Sequence, residues 1–120
     1  MNHGLPAHTV LAIQGVLSHF PEVEKAVLYG SRAKGNHKQG SDIDLTLVGD
    51  ALTDRLLSKI YWALDDLLLP YKIDLSLFSE LRHAALIDHV CRVGIPLYER
   101  AAAAVRRARP QRAPSRLIPR

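Results

Sequence analysis

Asp42 and Asp44 stand two residues apart in "GSDIDLTLVG", and a third aspartate, Asp74, sits in the later run "YKIDLSLF". Residues i and i+2 of a strand point the same way, so Asp42 and Asp44 share one face and Ile43, Leu45 and Leu47 take the other. Two carboxylates side by side repel, and each raises the other's pKa if water is withdrawn. Folding alone gives no reason for them. A hard cation such as Mg²⁺ removes the objection, since it takes one or two carboxylates together with substrate phosphates.

Alone, a D-x-D after a Gly-Ser turn is equally what a solvated sheet face carries. Asp74 shifts the balance, because it lies on the polar face of a second alternating strand reached through a helical crossover. If the two strands are neighbours, three carboxylates converge. Such a cluster can hold two cations roughly 3.5–4 Å apart, the arrangement used for in-line displacement at phosphorus.

The loop before the aspartates supplies the other half of a phosphate site. Gly30 and Gly35 bracket "SRAK", so backbone can approach a phosphate closely, and Ser31 can present backbone N–H groups. Arg32, Lys34 and Lys38 are the nearby cations, with solvated loop lysines the alternative for the last two. "GSRAKGNH" imitates the P-loop G-x-x-x-x-G-K-[ST], but Asn36 and His37 stand where Lys and Ser or Thr are required. An ATPase of that type is excluded.

The elements that position these residues follow from periodicity. Val10, Ile13, Val16 or Leu17, and Phe20 predict a helix over 9–20, closed by Pro21. "KAVLYG" (25–30) reads as a buried strand, 31–41 as a loop and "DIDLTLV" (42–48) as a strand. Thr53 caps a helix whose apolar face is Leu56, Leu57, Ile60, Leu64, Leu67 and Leu68, ended by Pro70. A strand over "YKIDLSLF" comes next, then a helix opened by Ser79 and stopped by Gly94, with "IPLYE" docking as a short extended piece. The expectation is a small α/β domain with a sheet of at least three strands.

At 120 residues the chain holds one domain. With 48% hydrophobic and 23% charged residues it has a globular composition. No apolar run approaches the roughly 18 residues of a membrane span. The N-terminus lacks a basic region followed by an apolar core, and Cys91 is the single cysteine, so a cytoplasmic location is expected. The net charge of +4 belongs to the tail: residues 1–99 carry nine Lys and Arg against twelve Asp and Glu, a net of −3, and the seven remaining arginines begin at Arg100. The expected division is a domain over 1–99 and a basic Ala/Arg/Pro-rich extension over 100–120, partly disordered. Nucleic-acid binding is not expected of the folded domain.

"GSRAKG", "GSDIDL" and "KIDLSLF" together resemble the minimal nucleotidyltransferases, in the superfamily of DNA polymerase beta and kanamycin nucleotidyltransferase, over roughly Val27 to Tyr98. The resemblance implies a single-domain nucleotidyltransferase fold with a small mixed β-sheet flanked by helices, moving AMP from ATP to an acceptor hydroxyl. It implies that Gly30 and Ser31 hold the triphosphate, that Arg32 stabilises phosphate charge, and that Asp42 and Asp44 bind two Mg²⁺ ions. Asp74 would complete one metal site and help deprotonate the acceptor. Proteins of this kind act as antitoxins beside a HEPN-domain ribonuclease toxin, which they are thought to modify with AMP on tyrosine. A HEPN-type partner is therefore expected, as is an oligomer with itself or with that partner. The arginine-rich tail departs from the family pattern.

Two other readings stand beside this one: a module that neutralises a partner by contact without catalysis, and transfer to a small molecule such as an aminoglycoside. The remaining candidates read as structural. His83 and His89, six apart, lack the i, i+4 spacing of a zinc pair and are expected at the surface. His37 is expected as a solvated loop residue, Cys91 as a small buried one, Tyr61 and Trp62 in the core or an interface, and Tyr29 beneath the loop.

Overall fold

The computed structural model describes residues 3–38 and 41–100. Gly40 of "GSDIDL" and the basic extension from residue 101 lie outside them. The order is α1 (Ala7–Leu17), β1 (Lys25–Tyr29), α2 (Ser31–Lys34), β2 (Ile43–Val48), α3 (Asp54–Asp65), β3 (Ile73–Leu77), a 3₁₀ turn at Phe78–Glu80, α4 (Ala84–Val93) and β4 (Ile95–Glu99).

The four strands form one mixed sheet in the order β3-β2-β1-β4. β1 runs antiparallel to both β2 and β4, and β2 runs parallel to β3. The parallel pair needs a crossover, which α3 provides. "IPLYE" is more than a docked piece: it closes the sheet as an edge strand on β1, with a register shift opposite Ala26 and Val27. Beyond it, the Arg100 N–H donates to the Glu24 carbonyl at 2.9 Å.

Alternation decides which face each strand buries. Ala26 and Leu28 pair with Leu47 and Leu45, and Ile43 and Leu47 pair with Ile73 and Leu77, so one sheet face is wholly apolar. Ile13 and Leu17 of α1 and Ile60 and Leu64 of α3 close over it as the main core. The opposite face carries a smaller cluster, in which Val90 of α4 packs on Val27 and Tyr29 with Phe78, Leu81 and Leu86 around them. α4 lies on β1 and the 3₁₀ turn against β2, burying Thr46, while Asp42 and Asp74, at the other end of that face, stay exposed.

Several helix ends differ from the sequence expectation. α1 begins at Ala7 and buries Thr9 rather than starting with it. Thr53 does cap α3, its hydroxyl accepting from the Leu56 N–H at 3.2 Å, but the helix ends at Asp65, before Pro70. Ser79 opens no α-helix, because Phe78 and Leu81 turn into the small cluster, and a 3₁₀ turn and the three residues 81–83 stand before α4. Gly94 ends α4 with φ −59, not left-handed. It is required for closeness instead: a Cβ there would overlap the Val90 carbonyl and the Val27 side chain.

Candidate active site

β2 and β3 are parallel and in register, with Asp44 opposite Asp74 and Thr46 opposite Ser76. Neighbouring strands lie about 4.8 Å apart, so the two aspartates are side by side. Asp42 enters from the residue before β2 and is exposed, as is Asp74, while Asp44 is half-buried. Burial raises Asp44 above the ordinary carboxylate range, and the charges of Asp74 and then Asp42 raise it further. Unit charges about 4 Å apart repel by about 1 kcal/mol in water and several times that in a less polar setting. Against a domain stability on the order of 5–15 kcal/mol, that is a real cost. The folded state bears it with no cationic side chain bonded to these carboxylates among the described residues.

The donor set fits a hard cation. As the side chains stand, no three His, Cys, Asp or Glu groups among the described residues enclose an ion between them. Mg²⁺ does not require three, since it binds through one or two carboxylates and completes its shell with water and substrate phosphate.

The Gly-Ser loop meets Asp44 directly. Tyr29, the last residue of β1, pairs with Asp44, and Gly30 follows at φ 78 and ψ −155. This backbone conformation is essentially reserved for glycine. A Cβ at position 30 would also collide with Asp44 Oδ2. The carboxylate thus lies against bare backbone. Ser31 begins the single turn of α2, which Gly35 ends in a left-handed conformation at φ 81. The expected loop is therefore partly helical, from the Gly30 carbonyl accepting from Lys34 N–H to Gly35.

Arg32 does not stand where the resemblance led one to expect. Its side chain is 2% exposed. Nε and Nη2 donate to the Ser41 carbonyl at 3.1 and 2.9 Å, and Nη1 donates to the His3 carbonyl at 2.9 Å. Its guanidinium also lies 4.9 Å from the centre of the Tyr71 ring. The cation ties the N-terminal strap at His3 and both ends of the loop together rather than reaching outward. Lys34 and Lys38 remain exposed at the loop surface.

Expectations for Cys91, His89 and His37 are corrected. Cys91 is exposed on α4, because the buried stripe of that helix runs through Val90. His89 is only partly exposed, and its Nε2 accepts a hydrogen bond from the Gly30 N–H at 2.9 Å. Nothing local signals this bond, which joins residues 59 positions apart. Tyr29 does pack under the loop, edge-on to the His89 ring with centroids 6.3 Å apart. Burial raises its phenol above the usual tyrosine range, the Ser76 hydroxyl opposes this, and the charges of Asp74 and Asp44 add to it. His37 is half-buried, its ring filling the space a side chain at Gly4 would need. His83 is exposed, and Trp62 is 61% exposed with Tyr61 edge-on beside it. A separate hollow of about 270 Å³ between α3 and β3, lined by Tyr61, Leu64, Tyr71 and Ile73, contains none of the three site aspartates.

A profile of the family "Polymerase beta, Nucleotidyltransferase" matches residues 12–103. The chain belongs to the polymerase beta nucleotidyltransferase family. Solved structures share its fold. A toxin–antitoxin complex with AMP-PNP aligns with a TM-score of 0.60 at 19% identity, over 84% of this chain and 80% of the other. The MntA–HepT toxin–antitoxin aligns at 0.59 and 20% identity, over 84% and 82%. A complex of tri-AMPylated Shewanella oneidensis HEPN toxin with its MNT antitoxin aligns at 0.53 and 18%, over 81% and 77%. No curated protein matches. For this nucleotidyltransferase-family chain the structural likenesses establish the mixed sheet and its helices, and no described helix is long and apolar enough to cross a membrane.

Proposed function

We propose that this protein transfers AMP from ATP to a hydroxyl of a partner protein, as the antitoxin of a HEPN-type ribonuclease toxin. The observation that carries the proposal is the in-register pair Asp44–Asp74 at the exposed end of a sheet face, with Asp44 against the Gly30 backbone. Family membership supports the chemistry, and the toxin–antitoxin neighbours, one with AMP-PNP and one with AMPylated HEPN toxin, support the nucleotide and the partner.

In this reading Gly30 and Ser31 hold the triphosphate, and Asp42, Asp44 and Asp74 hold two Mg²⁺ ions. Bound there, the metal neutralises charge on the phosphates and on the attacking and leaving oxygens. Asp74, exposed at the edge of the pair, takes the proton of the acceptor hydroxyl. The hydroxyl oxygen bonds to the α-phosphorus as the α–β phosphoanhydride breaks, and pyrophosphate leaves. Arg32 acts through the loop it ties down. The exposure of Asp42 and Asp74 leaves them within reach of a protein acceptor.

The test is intact mass spectrometry of the candidate toxin after incubation with this protein, ATP and Mg²⁺, with the Asp42→Asn/Asp44→Asn double variant as control. An AMP-sized increment with wild type alone is the expected result. Full modification by the double variant refutes the mechanism. A stable complex, unmodified with either protein, favours the contact-only module.

A further inference from the structure

We propose that His89 is a positioning residue for the nucleotide, holding the Gly30–Ser31 turn in the conformation that receives the triphosphate. This rests on the nucleotidyltransferase reading above and adds a residue to it from outside the aspartate and Gly-Ser motifs.

Gly30 is tied by hydrogen bonds on both of its sides. The following carbonyl accepts from Lys34 N–H at 3.2 Å and starts α2. The preceding N–H donates to His89 Nε2 at 2.9 Å. Between these ties, Asp44 Oδ2 occupies the space in which a side chain would stand. Gly30 is thus held from α2, from α4 and from the carboxylate at once.

A glycine at φ 78 and ψ −155 has no side chain to choose among neighbouring backbone wells. Its hydrogen bonds must do so. His89 is the tie contributed by a side chain, and it comes from α4, whose Val90 packs on Val27 and Tyr29 of the same sheet face. An imidazole accepts at Nε2 only when its proton is on Nδ1, so the ring serves here as an acceptor. The edge-on Tyr29 ring, with an interplanar angle of 77°, sets its plane. Without the acceptor, one of these ties is lost, and ATP must then bind a turn that it has first to order, which lowers affinity.

The substitutions that separate acceptor from packing are His89→Leu, which fills space and accepts nothing, and His89→Gln, whose amide oxygen can take the Gly30 N–H. The measurement is calorimetric titration of the full chain with ATP and Mg²⁺, with thermal melts of each variant. His89→Leu is expected to raise the ATP dissociation constant about tenfold, about 1.4 kcal/mol, at unchanged stoichiometry, and His89→Gln to bind as wild type does. A merely structural role would lower the melting temperature and the binding stoichiometry while leaving the dissociation constant unchanged, and that result overturns the proposal. So does His89→Leu binding like wild type. If wild type binds no ATP, the nucleotidyltransferase reading fails first and takes this proposal with it.

Discussion

Two glycines with similar backbone φ offer a controlled experiment on the site. Gly30 and Gly35 lie at φ 78 and 81, five residues apart on either side of α2. Alanine at Gly35 meets nothing within 4 Å, so its cost is backbone strain alone, about 1–2 kcal/mol for an L-residue in the left-handed region. Alanine at Gly30 enters a still less populated region, at about 1–3 kcal/mol, and its methyl group collides with Asp44 Oδ2. For a domain of this length each kcal/mol lowers the melting temperature by about 4–8 °C, so both variants should melt measurably below wild type and by similar amounts. Function should separate them. To clear the new methyl group, the Asp44 carboxylate must retreat by on the order of 1 Å, and such misplacement costs on the order of a hundredfold in rate. The assay is the initial rate of AMP transfer under conditions where both variants are fully folded by circular dichroism. Gly35→Ala should retain near wild-type rate, and Gly30→Ala should lose on the order of two powers of ten. Equal rates in the two variants would refute the claim that bare backbone at Gly30 seats the Asp44 carboxylate.

The remaining expectations concern stability. Because Asp44 is raised in the folded state, its favourable contribution is complete below the unfolded carboxylate value of 3.8 and is lost as pH rises through its higher folded value. Asp44→Asn should therefore raise the metal-free melting temperature at pH 7, with the gain shrinking as pH falls toward that value; a gain independent of pH would contradict the assignment. Mg²⁺ at about 100 times its dissociation constant should stabilise wild type by about 2.7 kcal/mol and leave the Asp42→Asn/Asp44→Asn variant unmoved, as judged by melts with and without chelator. Arg32→Ala removes three donated hydrogen bonds from a buried cation. With hydrogen bonds to charged groups worth about 1.5–3 kcal/mol each, denaturant unfolding should show a loss well above the roughly 0.5 kcal/mol of a surface substitution. A surface-like value would mean that the N-terminal strap is not held by Arg32.

What the sequence determined by itself was local. A strand's two-residue period follows from the backbone of each residue, so "DIDLTLV" and "KIDLSL" read directly as strands with Asp44 and Asp74 on their polar faces. Thr53 capping α3 is likewise decided within a few residues of its position. Tertiary structure decided what depends on separations of tens of residues. It set the parallel register that puts Asp44 opposite Asp74, the addition of β4 at the sheet edge, and the docking of α4 that brings His89 to Gly30. Arg32 shows the boundary most clearly. Next to a Gly-Ser pair it reads as a phosphate ligand, yet a guanidinium binds any well-placed oxygens. The carbonyls of His3 and Ser41 reach it only because the strap and the far end of the loop fold back around it.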